Sequence, residues 1–226
     1  ILGSWVLIVC SSYLWNWYRV EGSVVQLAHV QARAFFEKDL AFRRWAAIHG
    51  GVYAPPTKQS PPNPYLSHIP DRDITTTTGK KLTLINPAYM IRQVYELNDV
   101  SKENNVVRSH ITSLKPLRPE NKADEWEQGA LQSFESGEKE KSSTEVIDNE
   151  PFLRFMRPLI TEQSCLKCHE QQGYRLGDIR GGIGIAVPLN DFYAAAELQR
   201  RDLLTAHSLI GILGLLGLSF GLRRFQ

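Results

Sequence analysis

Two long uncharged segments lie at the ends of the chain. Residues 1–18 and residues 203–222 contain no Asp, Glu, Lys or Arg. About 20 apolar residues in a helix span a hydrocarbon layer of roughly 30 Å, so both segments are predicted to be transmembrane helices. Residues 19–202 then form one domain between the two spans, and residues 223–226 form the end beyond the second span.

Positive charges and aromatic residues predict how the chain sits in the membrane. Aromatic side chains favour the lipid–water boundary, and four of them close the first segment, which favours a retained anchor over a cleaved signal peptide: Tyr13, Trp15, Trp17 and Tyr18. Arg223 and Arg224 follow the second segment, as cytoplasmic flanks do, although basic residues also compensate a helix dipole. We therefore predict a bacterial inner (cytoplasmic) membrane protein with its main domain in the periplasm.

The first half of the domain alternates helix and extended segments. A long helix is predicted over residues 23–48, opened by Ser23 and stopped by the Gly50-Gly51 pair. The five prolines of "APPTKQSPPNP" exclude regular helix. "KLTLI" alternates like a strand, and a further helix should follow Asn86, with Pro87 at its first position, and run to about Leu97.

The second half of the domain contains two apolar strands. These are "PFLRFMRPLI" and "RGGIGIAVPL", and a final helix capped by Asn190 or Asp191 runs into the second span. Before them, Trp126 and Phe134 mark a helix in a polar region, and the charged run "ESGEKEKSSTE" is predicted to be an exposed loop or helix end. Helices and strands alternate too irregularly for a doubly wound sheet. The predicted fold class is α+β.

The only short motif that specifies chemistry is "SCLKCHE". It contains Cys165 and Cys168 followed directly by His169, whereas Cys10 lies in the first predicted span. Structural zinc needs four ligands, and a second cysteine pair is missing from the sequence. A thiol–disulfide pair does not need the histidine. Covalent haem uses all three residues, with two thioether bonds and a proximal imidazole on iron. One haem c is predicted.

Charge and composition exclude some functions. The formal net charge of the 226-residue chain is +2, which gives no case for a nucleic-acid binder. We find no Ser/His/Asp arrangement or carboxylate pair in a catalytic context, so an enzyme is not expected. The expected partners are membrane lipid, a second copy or a larger membrane complex, and either a redox partner or a small gas.

Four blocks of sequence resemble a known family. They are "RRWAAIHGGVYAP", "NPYLSHIPDRDITTTTGKKLTLINPAYMIRQ", "SLKPLRPENKADEWE" and "FMRPLITEQSCLKCH". The chain resembles periplasmic single-haem c-type domains of PAS-like fold, which serve as input modules of membrane sensor kinases and chemoreceptors. The resemblance implies a PAS-like antiparallel sheet with flanking helices between two transmembrane helices. In such sensors a linker and a cytoplasmic transmitter normally follow.

The second axial ligand of the iron is left open by the sequence. The resemblance places Met90 on a helix near the haem, so its sulfur is the first candidate, although methionine also fills apolar gaps. His49 and His110 are the alternatives. Haem propionates favour arginine partners, and the arginines in the resembling blocks form a pool of candidates: Arg44, Arg72, Arg92, Arg154 and Arg157.

The sequence leaves two functions from different classes open. In the first, the domain is a haem-based redox or gas sensor, and its last helix carries a shift towards the second span. In the second, it is a monohaem electron-transfer subunit of a membrane complex. Sensing requires two states with different haem contacts, whereas electron transfer requires a haem that keeps both ligands.

Overall fold

The computed structural model describes residues 1–99 and 106–224. Five α-helices run along the described chain: α1 (Leu2–Ile48), α2 (Pro87–Asp99), α3 (Glu125–Glu135), α4 (Gln163–His169) and α5 (Asn190–Arg224). Seven strands lie between them: β1 (Val52–Ala54), β2 (Asp73–Thr75), β3 (Lys81–Ile85), β4 (Arg108–Thr112), β5 (Lys141–Ile147), β6 (Glu150–Ile160) and β7 (Ile179–Pro188). Short 3₁₀ turns cover Pro64–Leu66, Pro119–Asn121 and Glu170–Gln172. The α+β class is confirmed.

The first helix is longer than the sequence predicted. α1 starts at Leu2, so the predicted start at Ser23 is wrong. Ser23 does not cap a helix, because its hydroxyl donates to the carbonyl oxygen of Val20 one turn earlier (2.7 Å). The helix ends where expected, since Gly50 and Gly51 follow with positive φ.

Two antiparallel sheets make up the domain. The smaller sheet has the order β1-β3-β2, and the larger has the order β4-β7-β6-β5. In the larger sheet Phe155 of β6 pairs with Ile185 of β7, and His110 of β4 pairs with Gly184. β5 and β6 are joined by Asp148 and Asn149, both with positive φ, a conformation that these residue types tolerate in tight turns.

The larger sheet is covered on both faces. On one face the buried small residues of α1, such as Ala28 and Ala32, let the helix approach Phe155 and Ile183 closely. On the other face α3 packs with Ala130, Leu131 and Phe134 against Met156. Since side chains alternate along a strand, Phe155 and Met156 serve opposite cores. The prediction that Met156 packs in the strand core is confirmed.

α5 runs back along α1. The two helices are tied by an ion pair between Arg200 and Glu21, and the Arg200 guanidinium lies 4.7 Å from the Trp17 ring. Within residues 1–99 and 106–224, α5 is the one helix long and apolar enough to cross a membrane by length and composition. The predicted first span, residues 1–18, lies in the N-terminal part of α1 and is not confirmed.

One glycine of α5 makes room for α1. A Cβ atom on Gly214 would lie 2.2 Å from the Trp5 indole, and the Trp5 Nε1–H donates to the carbonyl oxygen of Gly211 (3.3 Å). Gly217 and Gly221 have no such neighbour within 4 Å. The close approach of α1 and α5 therefore depends on Gly214.

We expect Gly214→Val to weaken the α1–α5 packing by about 1–3 kcal/mol, the usual cost of overpacking. Thermal unfolding of the detergent-solubilised chain measures the loss. Gly217→Val is the matched control, because open space surrounds that position. Equal transitions in the two variants would show that Trp5 moves aside without cost.

The structure also corrects the interpretation of the charged run before β6. The run "ESGEKEKSSTE" was predicted to be an exposed loop or helix end, but its last five residues begin strand β5. The strand alternates half-buried and exposed positions. The Trp126 indole donates to the Ser143 hydroxyl (2.7 Å), and Arg154 donates to the Glu145 carboxylate (3.4 Å). Polar contacts thus stabilise the half-buried face of β5.

Candidate functional site

The Cys-x-x-Cys-His motif forms a short helix at the edge of the larger sheet. β6 ends just before it, and Thr161 exchanges backbone hydrogen bonds with Gly177 and Asp178 (3.0 and 2.8 Å), which closes the loop that contains α4. The Glu162 N–H donates to Cys165 Sγ (3.4 Å). Arg44 donates to the Glu162 carboxylate (3.1 Å). α4 is therefore held to both the sheet and α1.

His169 lies half-buried at the end of α4 with one nitrogen fixed. Its Nδ1 is 2.7 Å from Gln172 Oε1, which only accepts, so Nδ1–H donates and Nε2 keeps its lone pair. Burial, with a smaller contribution from the charge of Arg180, lowers the pKa of His169 to about 4. The imidazole is therefore neutral at pH 7 and has the form that binds a metal.

Both thiols of the pair are half-buried, and Cys168 is the one that lines the cavity. It packs against the apolar cluster of Leu66, Ile69 and Leu84. Burial raises the pKa of the Cys168 thiol, and the charge of Lys167 opposes this only in part. In the free chain Cys168 is therefore protonated at neutral pH, and its sulfur faces an apolar environment.

A cavity of about 250 Å³ lies beside these residues, and Cys168 and His169 form part of its wall. The other walls come from Arg43 of α1, from Ser109–Thr112 of β4 and the following loop, from Arg180 of β7, and from six residues of α2: Ala88, Tyr89, Ile91, Arg92, Tyr95 and Glu96. Most of the exposed lining area is apolar. A cavity of this kind suits a mainly apolar ligand with a few polar groups.

A hydrogen-bonded cluster of Asp39, Tyr95 and Ser109 lies at one wall of the cavity. Asp39 of α1 is 1% exposed and accepts hydrogen bonds from the Tyr95 and Ser109 hydroxyls (both 3.0 Å). Burial raises the pKa of the Asp39 carboxyl, against these hydrogen bonds. Because Tyr95 and Ser109 also line the cavity, the cluster joins α1, α2 and β4 directly at the site.

Four arginines line the cavity, and two of them have carboxylate partners. Arg92 lies 3.2 Å from the Glu96 carboxylate, and Arg118 lies 3.4 Å from that of Glu120. Arg43 and Arg180 form no ion pair with any described residue. Arg43 Nη1 and Arg180 Nε are buried and have no hydrogen-bond partner in the described chain. These two guanidiniums therefore lack an ion-pair partner in the part of the chain that the structure describes.

The three candidates for a second axial ligand lie in different surroundings. Met90 is half-buried on α2 and is not part of the cavity wall, although Tyr89 and Ile91 on either side of it are. His49 is exposed, with its ring 4.5 Å from that of Trp45. His110 lines the cavity, but its two nitrogens contact Glu127 Oε1 (2.8 Å) and the Glu120 carbonyl (3.2 Å). The second ligand stays a prediction.

Comparison with known proteins gives a family. The Tll0287-like family matches residues 21–188, which include the sheets, the cavity and the Cys-x-x-Cys-His helix. The chain belongs to the Tll0287-like family. No curated protein matches it. Among solved structures, the crystal structure of the cyanobacterial heme-protein Tll0287 is 18% identical, covers 45% of this chain and 72% of its own, and superposes with a TM-score of 0.34.

The Tll0287-like domain uses some residues that the sequence did not single out. Of the five arginines proposed as a pool, only Arg92 lines the cavity. The other four are engaged with carboxylates elsewhere: Arg44, Arg72, Arg154 and Arg157. Arg43, Arg180 and the buried Asp39 were missed. Arg43 is adjacent to Arg44 in the "RRWA" block, and of these two only Arg43 lines the cavity.

In this domain His110 should stabilise the fold more at low pH than at high pH. The hydrogen bond to Glu127 raises the pKa of His110. A raised folded-state pKa gives stability that is present below the unfolded value of about 6.5 and is lost as the pH rises through the folded value. His110→Gln should therefore cost about 1 kcal/mol near pH 5.5, allowing for screening of a ring that is 44% exposed, and less near pH 9.

Urea unfolding of the full chain at the two pH values measures the difference. His49→Gln serves as the control, since that ring is exposed and contacts only its own helix. A pH-independent cost for His110→Gln would mean that His110 acts as a neutral hydrogen-bond donor to Glu127.

Proposed function

We propose that this chain is a membrane-anchored haem c protein whose PAS-like domain is the input module of a redox or gas sensor. The observation that carries the proposal is the cavity wall made by Cys168 and His169 of one Cys-x-x-Cys-His helix. Membership of the Tll0287-like family supports it, because Tll0287 is described as a cyanobacterial heme-protein. One haem c would be held by Cys165, Cys168 and His169.

The residues of the site fit such a group. His169 presents a neutral imidazole whose Nε2 is free, and Gln172 fixes the ring through Nδ1. Cys168 lies at the cavity wall, and Cys165 lies one turn away on the same helix. Leu66, Ile91 and Leu159 give the cavity an apolar part beside polar groups. The haem would supply the one-electron or gas-binding chemistry, and the chain supplies attachment, orientation and electrostatics.

The sensor interpretation is supported by the elements that build the cavity. Arg43 and the Asp39 cluster belong to α1, and Arg180 belongs to β7, which leads into α5 after Pro188. A change in the cavity would therefore act on the two helices that leave the domain side by side. The proposed location is the periplasmic side of a bacterial inner membrane, with α5 in lipid. A homodimer or a larger complex is the proposed assembly, and we propose no catalytic reaction for the domain.

One observation favours electron transfer as a second candidate. The outer face of α4 is exposed at Gln163, Ser164 and Lys167, so a partner protein could contact the helix that would hold the cofactor. A redox partner in contact with this face would be close to the iron. The electron carrier would need a closed haem with two protein ligands.

The test is an absorption spectrum of the detergent-solubilised full chain from cells that mature c-type cytochromes, oxidised and reduced, with and without CO. A reduced haem that binds CO supports the sensor. A closed haem that ignores CO, with a sulfur–iron charge-transfer band that is lost in Met90→Ala, supports the electron carrier. A chain without any haem band contradicts both candidates.

A further inference from the structure

Two guanidinium groups from different elements line the same cavity. Arg43 extends from α1, one turn beyond Asp39, and Arg180 extends from the start of β7. Burial lowers the pKa of Arg43 and the charge of Arg180 adds to this, against the opposing influence of Cys165 and Asp39. Both also line the cavity that Cys168 and His169 share.

The contacts of the two arginines leave part of each donor set unused. Arg180 Nη1 donates to the Ser113 hydroxyl (3.0 Å), and its guanidinium lies 4.9 Å from the Tyr174 ring. Its Nε is buried with no partner within the described chain, and the same holds for Arg43 Nη1. Neither residue has a carboxylate within 4 Å in that part of the chain.

This arrangement is unfavourable for the chain alone. Removing a charged group from water without a partner is costly, and two like charges together increase the cost. The other cavity arginines, Arg92 and Arg118, do have carboxylates beside them. An anionic ligand in the cavity would relieve the repulsion and fill the unused donors. A planar guanidinium matches a carboxylate with two parallel hydrogen bonds.

We propose that Arg43 and Arg180 form a carboxylate clamp that binds the propionate groups of a porphyrin held at Cys168 and His169. The inference rests on the proposed haem function and adds the residues that receive the acidic edge of the ring. Two guanidiniums on separate elements suit a ligand with two carboxylates better than they suit one small anion. Ser113 holds Arg180 in position, because its hydroxyl accepts from Arg180 Nη1 and donates to the Arg180 carbonyl oxygen.

The clamp connects the ligand to both long helices. Arg43 is part of α1, and β7, which starts with Ile179 and Arg180, is followed by α5 from Asn190. A porphyrin that binds both arginines therefore joins α1 to the strand that leads into α5. Substitution of either arginine should therefore weaken both the binding of the porphyrin and the connection between α1 and β7.

The test uses the full chain with Cys165→Ala and Cys168→Ala, so that binding is reversible, and zinc protoporphyrin IX as a fluorescent probe. The parent should bind the diacid roughly 10–100-fold more tightly than the dimethyl ester, as expected for charge-assisted hydrogen bonds. Arg43→Gln and Arg180→Gln should each weaken diacid binding by roughly 10-fold or more and leave ester binding unchanged. Arg43→Lys should recover only part of the affinity, because an ammonium is not bidentate.

Arg33→Gln is the matched control. Arg33 also lies on α1, but it is exposed and paired with Glu140, so this change should leave both affinities as they are. Circular dichroism and the thermal midpoint establish that each variant folds. Equal affinity for the diacid and the ester would overturn the clamp. The clamp would also be wrong if inorganic phosphate competed with the porphyrins and the ratio of diacid affinity to ester affinity stayed the same, because the arginines would then form a site for a small anion.

Failure of the haem function gives a different result from failure of the clamp. If the parent binds neither porphyrin and the native chain carries no haem, the proposed function is wrong. If His169→Ala weakens both porphyrins while Arg43→Gln weakens neither, the cofactor site stands and the carboxylate clamp is wrong.

Discussion

Changing both Cys165 and Cys168 to alanine should release the cofactor from the chain completely. Each thiol forms one thioether bond in a haem c, so the double variant has no covalent link to the porphyrin. A haem-stained denaturing gel should then show no band at the mass of the chain. His169→Ala should keep the stained band, because both thioethers remain, but should change the spectrum of the native protein.

The control for this prediction is Cys10→Ser. Cys10 is the third cysteine, and it is exposed in the N-terminal part of α1, far along the sequence from the site. This variant should stain like the wild type. A stained band in the double cysteine variant would show attachment through another residue, and the assignment of the motif would then be wrong.

Gly181→Ala should be the most damaging single substitution in the larger sheet. A Cβ atom at this position would lie 2.2 Å from the backbone oxygen of Thr112 and 3.3 Å from Ser113 Cβ, and the residue has φ +159°. The clash is with backbone and cannot be relieved by a rotamer change. Since Thr112 and Gly182 are paired in the β4–β7 ladder, the strands must separate there. We expect a loss of about 3 kcal/mol or more.

Urea unfolding of the full chain measures this loss, and Gly129→Ala is the comparison. Gly129 lies in α3 with open space around the position of a new Cβ, so alanine should stabilise the chain by about 0.5–1 kcal/mol. Because Gly181 also lines the cavity, Gly181→Ala should change the absorption spectrum of the native protein as well. An unchanged midpoint would mean that β4 can shift without loss of pairing.

Elements with a strong local signal could be predicted from the sequence. The Asn86 side chain accepts a hydrogen bond from the Tyr89 N–H (3.2 Å), and α2 starts at Pro87, as the capping pattern indicated. The apolar runs of β6 and β7 are central strands of the sheet. In these segments the local preference and the tertiary environment agree, so short-range reasoning was sufficient.

Elements made of polar residues were missed. β4 reads "RSHIT" and β5 reads "KSSTEVI", and neither has an apolar alternation that distinguishes a strand from a loop. Their inner positions are satisfied by contacts with distant parts of the chain, such as His110 with Glu127. Partners that lie far away in sequence leave no periodic signal, so these strands could not be found from the pattern.

The candidate site was also predictable only in part: its local motif could be found from the sequence, and the residues brought to it by the fold could not. The motif at Cys165, Cys168 and His169 identified the cavity wall, because attachment chemistry fixes the spacing of its residues. The arginines could not be chosen in this way. Arg43 and Arg44 are neighbours, yet successive residues on an α-helix point about 100° apart. One of them lines the cavity and the other pairs with Glu162 on the surface. Only the orientation of α1 on the sheet decides between them.

α1 is long enough to connect the cavity with the far part of α5. Its 47 residues make a rod about 70 Å long, and Arg43 near one end lines the cavity. Glu21 near the midpoint pairs with Arg200 of α5. Trp5 near the other end donates to Gly211 of α5. A shift of α1 along its own axis at Arg43 would therefore be passed to α5 at two places, about 33 and 57 Å along the rod.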